Sequence, residues 1–251
     1  MRLTAKQIAL HDDQRDLGAA GRAALVRAFG RLFPAAGRVL DAGGGTGWAV
    51  PLLEAAGLTA VLADLSADML AVAATDTPRV RGDLTALPFA GGGFDGVHAS
   101  YAIQNVPDWT AAICECVRVL RPDGVAVVAW GGPSPDPMIR DVSAFYFAQL
   151  GQWAGTAGQR QGLSSTAAGA AQFERAGCAA IAPVTITGGQ TRSLRQLVVR
   201  MATNPFRGDP PADLARAARA TTLAWAAKRY GDLDRPRTVE VAHVLYGYRR
   251  L

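Results

Sequence analysis

Lysine is almost absent from this chain. It stands only at positions 6 and 228, and arginine supplies the rest of the 26 basic residues. The net charge of +5 and the isoelectric point near 9.5 therefore rest on arginine. With abundant Ala and Gly, that imbalance fits a GC-rich coding bias. The arginines are dispersed, mostly at helical spacing, and only Arg249 and Arg250 adjoin each other. No basic run is interleaved with aromatics, as a nucleic-acid groove requires. The expectation is solvated helix faces and no nucleic-acid partner.

Cysteine is scarce too. The three cysteines include no C-x-x-C pair and no Cys/His zinc spacing, so no metal is expected. Cys114 and Cys116 point apart on a helix, and all three read as buried thiols. No stretch holds eighteen uninterrupted apolar residues, and the opening MRLTAKQIALHDDQRD lacks a signal-peptide core. These absences predict a cytoplasmic protein with no membrane span. Apolar content of 49% in 251 residues excludes a mostly disordered chain and suffices for one α/β domain with a full core.

Two nucleotide signatures are also incomplete. Arg38-Val-Leu-Asp-Ala-Gly-Gly-Gly-Thr-Gly47 reads as a buried strand, an acidic residue and a glycine loop opening a helix over 48–55. Pro51 fits the first turn of that helix. Glycines at 43, 45 and 47 let backbone approach a ligand where a side chain would collide. Such a unit binds a nucleotide-like ligand at the carboxyl ends of strands. A dinucleotide loop carries G-x-G-x-x-G, but Trp48 stands where the third glycine is due, and no Gly-Lys-Ser/Thr follows to make a P-loop. About twenty residues past the loop, the apolar run 58–65 contains Asp64, at the distance where a carboxylate meets a ribose diol. Ser66 then suits the N-cap of the next helix.

The acidic residue before G-x-G-x-G resembles motif I of the class I S-adenosylmethionine (SAM) dependent methyltransferases. Val80-Arg-Gly-Asp-Leu-Thr-Ala-Leu-Pro-Phe89 resembles the segment in which that family contacts adenine. Gly93-Phe-Asp-Gly-Val97 through Val117-Arg-Val-Leu-Arg-Pro-Asp-Gly-Val125 continues the match. The resemblance implies Asp83 on the adenine amino group and the Leu84 N–H on a ring nitrogen. The implied cofactor set is Asp41, Ala42, Gly43, Gly44, Gly45, Gly47, Asp64, Leu65, Met69, Asp83, Leu84 and Ser100. It also implies a doubly wound α/β fold with a seven-stranded mixed sheet of order 3-2-1-4-5-7-6, strand seven antiparallel.

The alternation of apolar runs and helical stretches places strands at 38–42, 58–64, 79–83, 94–100, 124–130, 180–187 and 239–248. Pro183 confines the sixth to an edge or a bulge. Helices are expected over 137–153, 166–176, 192–203 and 212–230, and two more within 1–35, broken near Leu17-Gly18. The extra helices, in 132–178 and 190–235, read as lid insertions over an acceptor, with 133–165 a mobile lid. The whole of 1–251 reads as one domain.

The acceptor is expected beyond strand four, along His98-Ala-Ser-Tyr-Ala-Ile-Gln-Asn-Val-Pro-Asp108. This is not the Asn/Asp-Pro-Pro-Tyr/Phe motif of nucleic-acid and glutamine N-methyltransferases. Ser100 to Val106 instead resembles the Ser-Phe-Gly-Leu-Arg-Asn-Val stretch of ubiquinone/menaquinone methyltransferases, with Gln104 in place of the Arg. Tyr101, Gln104 and His11 are the catalytic candidates. His98 and His243 read as core histidines, His98 bonded to backbone. Trp130 and Tyr101 suit an aromatic pocket wall, and Phe145, Tyr146 and Trp153 suit lid core. The expected activity is SAM-dependent methyl transfer to O, N or C of a small molecule, in quinone-type or natural-product biosynthesis, mainly by proximity and orientation. The alternatives are a SAM-binding fold that catalyses a cyclisation or rearrangement, and a non-catalytic SAM-binding module. A small-molecule acceptor is the expected partner, and a homodimer is left open.

Overall fold

Seven strands form one sheet in the order β3-β2-β1-β4-β5-β7-β6. They are β1 (Arg38–Ala42), β2 (Thr59–Asp64), β3 (Arg79–Arg81), β4 (Phe94–Ser100), β5 (Leu120–Ala129), β6 (Cys178–Arg192) and β7 (Arg237–Arg250). The computed structural model describes residues 17–73, 76–151, 162–163, 165–202 and 210–251. The first five strands run parallel, and β7 runs antiparallel to both β5 and β6. Near-continuous apolar runs such as Val125–Ala129 bury both faces of the central strands, as a sheet covered on both sides demands.

The helices are α1 (Gly18–Leu32), α2 (Val50–Ala55), α3 (Ala67–Ala71), α4 (Trp109–Val119), α5 (Pro137–Gln149), α6 (Thr166–Arg175), α7 (Leu194–Ala202) and α8 (Ala212–Tyr230). α1, α2 and α3 bury Phe29, Leu53 and Leu70 on one face of the sheet. α4 and α6 bury Ile113, Cys116 and Phe173 on the other. Side-chain caps start four of them: Ser66, Asp108, Asp136 and Ser165 each accept from an N–H in the first turn. Such a cap contributes about 1 kcal/mol.

The remaining helices, α5, α7 and α8, form a third body. Its apolar clusters are its own: Val142, Leu194, Leu197 and Val198 meet Val239, and Tyr146 meets Leu150 and Ala218. Phe145 stacks on Trp225 at 4.3 Å. This body stands on β6 and β7, whose pairing continues to Arg192 and Arg237 while β5 pairs with β7 only over Val125–Val128. Asp136 ties it down, since its Oδ2 accepts from the Glu240 N–H at 3.2 Å.

Several boundaries differ from expectation. The first helix after the glycine loop starts at Val50, leaving Trp48 in the turn, although Pro51 does sit in its first turn. β3 ends at Arg81, so Asp83 lies past the strand, in an isolated bridge with Ala86. β5, expected from 124, starts at Leu120, and Arg121–Gly124 is a bulge within it, where pairing jumps from Leu120 to Val125 and Asp123 takes φ 64°. β6 and β7 both run longer than predicted. Pro183 falls in the register shift between Ile181 and Val184 on the edge strand. Within 133–165, α5 is not a separate flap, because Val142 and Tyr146 are buried against α7 and α8. Residues 152–161 and 164 lie outside the described residues, as do 1–16.

Candidate active site

The site begins where β1 and β4 run side by side. Their register sets Asp41 opposite His98, and His98 Nδ1 stands 2.8 Å from Asp41 Oδ1. Both residues are 1% exposed. The expectation that His98 bonds backbone is thus corrected: its partner is a carboxylate 57 positions away. Phe29 and Trp48 meet the imidazole edge-on, at 5.2 and 6.3 Å. Asp41 Oδ2 has no hydrogen-bond partner. It lies so close under Gly44 that a Cβ there would overlap it.

The loop above takes its shape from glycine. Gly43, Gly45 and Gly47 adopt φ of 68°, 60° and 74°, a region costly to residues with a Cβ. The N–H groups of Gly43 and Gly44 donate to Ala63 O at 2.8 and 3.1 Å, next to buried Ala42. Asp64 Oδ2 accepts from the Gly45 N–H at 2.9 Å, and Oδ1 accepts from the Ser66 N–H at 2.8 Å. Asp64 thus braces the loop. Leu65 beside it is 60% exposed, whereas Met69 on α3 is buried.

Across the loop, Asp83 is exposed and accepts from the Thr85 N–H and hydroxyl, both at 2.8 Å. Leu84 and Ala102 flank Gly43 closely. The segment after Asp83 is clamped by α4. Glu115 accepts from the Leu87 N–H at 2.8 Å, while Arg118 donates to the carbonyls of Leu87 and Phe89 at 3.0 and 2.9 Å. The Arg118 hydrogen bond holds the Glu115 carboxyl below its usual pKa range.

β4 delivers the acceptor candidates. Ser100 and Gln104 are both 5% exposed, and Ser100 Oγ and Gln104 Oε1 have no hydrogen-bond partner. Between them Tyr101 holds φ 54°. Its N–H donates to Ala129 O at 2.8 Å, and Asn105 Nδ2 donates to its carbonyl at 2.7 Å. Gly131, with φ 80°, passes so close to the Tyr101 ring that a Cβ would touch it at 3.0 Å. His243 from β7 meets Tyr101 edge-on at 5.3 Å and Trp48 at 5.9 Å.

Sequence reasoning missed this contact and the Asp41–His98 pair, because strand register carries both and no local spacing encodes it. His11 and Trp153 lie outside the described residues. Phe145 and Tyr146 pack inside the helical body of α5, α7 and α8. Cys114 is exposed, against expectation, while Cys116 and Cys178 are buried. Burial pushes those two thiols up to about 12 and about 11. Among the described residues no helix is long and apolar enough to cross a membrane.

Residues 40–128, the stretch that holds this whole constellation from Asp41 to Val127, match the family described as a methyltransferase domain. That stretch of the chain is similar to a methyltransferase domain. Its fold is the class I methyltransferase fold, with the strand order and antiparallel β7 that the resemblance implied. A demethylmenaquinone methyltransferase from Mycolicibacterium vanbaalenii is 47% identical over 92 residues, 36% of this chain and 40% of the relative. The chain thus spans less than half the length of the curated relatives it matches. The YcgJ protein from Bacillus subtilis has the same fold, with TM-score 0.59 and 19% identity over 92% of this chain and 97% of that one. So does SpnF, a (4+2)-cyclase, with TM-score 0.53 and 16% identity over 90% and 80%. The matched stretch ends short of β6, β7 and the third helical body.

Proposed function

We propose that this protein transfers a methyl group from SAM to a small-molecule acceptor at the carboxyl ends of β1, β4 and β5. The observation that carries the reading is the triple positive-φ glycine loop braced by Asp64, within the stretch that matches a methyltransferase domain. The residues fit the cofactor. The glycine loop lets backbone approach a ligand, Asp64 stands at the end of β2 where a carboxylate meets a ribose diol, and exposed Leu65 and Asp83 offer an apolar face and an acceptor for adenine. Ala42, Gly47, Met69, Leu84 and Ser100 would complete the contact set. When bound, the cofactor supplies a methyl group on a sulfonium, already activated for transfer.

What remains for the chain is alignment and exclusion of water. Tyr101, fixed by Asn105 and by the close passage of Gly131, forms a rigid wall of the acceptor site. Ser100 Oγ and Gln104 Oε1 are polar atoms buried without a partner, and such atoms in native proteins call for one. An acceptor hydroxyl or amine that donates to Gln104 would satisfy it and turn its lone pair toward the methyl group. The likeness over 92 residues to a demethylmenaquinone methyltransferase favours a hydroxylated ring of quinol type. The fold alone does not choose the reaction, since a cyclase shares it. Release of S-adenosylhomocysteine together with a methylated product separates transfer from rearrangement.

Calorimetry tests the cofactor half. SAM and S-adenosylhomocysteine should bind, and Asp64→Ala should cost roughly 2–4 kcal/mol, about thirty- to a thousandfold in affinity. Unchanged affinity in that variant removes Asp64 from the site. NAD should not bind, because Trp48 fills the place of the third glycine, wedged between His98 and His243. A thermal shift with NAD and none with SAM overturns the proposal.

A further inference from the structure

Asp83 is held in place by something other than the sheet. β3 is an edge strand of three residues that ends at Arg81, and Asp83 stands beyond it, exposed. Strand register therefore does not reach it. The loop 82–89 hangs instead from two fixed points. At its start the Gly82 N–H donates to the Asp64 carbonyl at 3.1 Å. Pro88 closes on Gly82 so tightly that a Cβ there would overlap the proline ring. At its end two side chains of α4 take hold of the main chain. Glu115 Oε2 accepts from the Leu87 N–H at 2.8 Å, while Arg118 Nη2 donates to Leu87 O at 3.0 Å and Nη1 to Phe89 O at 2.9 Å. The two side chains also lock each other, Nε to Oε1 at 2.6 Å and Nη2 to Oε2 at 2.8 Å. A guanidinium fork held on a carboxylate in this way presents its remaining donors in one fixed direction.

We infer that Glu115 and Arg118 are positioning residues for purine selection: from α4 they fix the 82–89 loop so that Asp83 and Leu84 meet the edge of the base in one geometry. This rests on the adenine placement proposed above. The edge of a 6-aminopurine offers an amino donor beside a ring-nitrogen acceptor, and a 6-oxopurine offers the reverse. An ionised carboxylate followed by an N–H matches only the first. The match discriminates only while the two groups keep their spacing. An exposed loop free to move would turn to suit either base, and tying both of its ends removes that freedom. Glu115 and Arg118 act through the main chain of Leu87 and Phe89 and not on the base itself.

Titration calorimetry with S-adenosylhomocysteine and its 6-oxo analogue, S-inosylhomocysteine, tests this. Wild type should prefer the first by roughly ten- to hundredfold. Glu115→Ala and Arg118→Met should each weaken S-adenosylhomocysteine by about tenfold and leave S-inosylhomocysteine within about twofold, so that the preference falls. Glu115→Gln, whose amide oxygen can still accept from the Leu87 N–H, should keep most of it. Adding Arg118→Met to Asp83→Ala should cost no further affinity. Ile113→Val, a loss of packing on the same helix, should leave the preference at the wild-type value. If Arg118→Met fails to fold in a thermal melt, Arg118→Lys, which keeps the charge and loses the fork, decides the matter by the same measure. Equal weakening of both ligands, additive losses with Asp83→Ala, or an unchanged preference overturns the inference. Equal affinity of wild type for the two ligands strikes the adenine placement, binding of neither strikes the cofactor reading, and the inference falls with either.

Discussion

Ala36, Tyr101 and Asp123 are the non-glycine residues with positive φ among those described. They differ in what they gain from it. Ala36 sits exposed in the turn before β1, with φ 52°. An L-residue pays about 1–2 kcal/mol there. Ala36→Gly should therefore raise stability by up to about 1 kcal/mol, after the entropy that glycine adds to the unfolded chain. Urea melts check this, and a loss of stability would mean that the turn is not strained. Tyr101 pays the same cost beside the orphaned atoms of Ser100 and Gln104. Strain at such a place marks a residue held for use, with Asn105 and Gly131 supplying the hold. The glycines and Asp64 were legible in the sequence because one short stretch contains them. The Asp41–His98 pair was not, since only the alignment of β1 with β4 brings it together.

At the scale of elements, the Glu115–Arg118 clamp links α4 to the segment that carries Asp83 and Leu84. Glu115 has a lowered pKa in the folded protein, chiefly through Arg118. A depressed carboxyl contributes stability above its unfolded pKa and loses it as pH falls through the folded value. Glu115→Gln should thus cost about 1 kcal/mol at neutral pH, discounted because Arg118 is 40% exposed. The gap between wild type and variant should narrow as pH drops below the ordinary carboxylate range. A gap that stays constant would assign the effect to packing. The parallel strands were readable as apolar runs, and their order followed from the family pattern. The far end of β6 was not. Its stretch Gly188–Arg192 is polar and opens on two glycines, so no apolar run announces a strand.

At the scale of the molecule, two bodies share one sheet. The cofactor half has its core on both faces of β1, β4 and β5, and α5, α7 and α8 have theirs apart. The stack of Phe145 on Trp225, with Tyr230 edge-on at 5.9 Å, joins α5 to α8. Trp225→Ala should loosen that joint by roughly 2–3 kcal/mol for a half-buried ring. Hydrogen exchange should quicken together in 137–149 and 212–230 and stay unchanged in β1 and β4. Faster exchange across the whole sheet would show that the two bodies are one cooperative unit. S-adenosylhomocysteine affinity in this variant should match wild type, because none of its binding residues touches the joint.

The over-long ribbon of β6 and β7 has a consequence for descent. Every helix of the third body is spliced into the chain after β5, and the last two leave from Arg192 and return at Arg237, which are paired neighbours. Whatever is inserted between those two residues begins and ends at one rung of a ladder. The insertion can be lengthened, exchanged or redrawn without shifting a residue of the glycine loop. A lineage built this way can rewrite a removable module while the glycine loop stays fixed. A chimera that swaps 193–236 between relatives should fold with β1, β4 and the glycine loop unchanged.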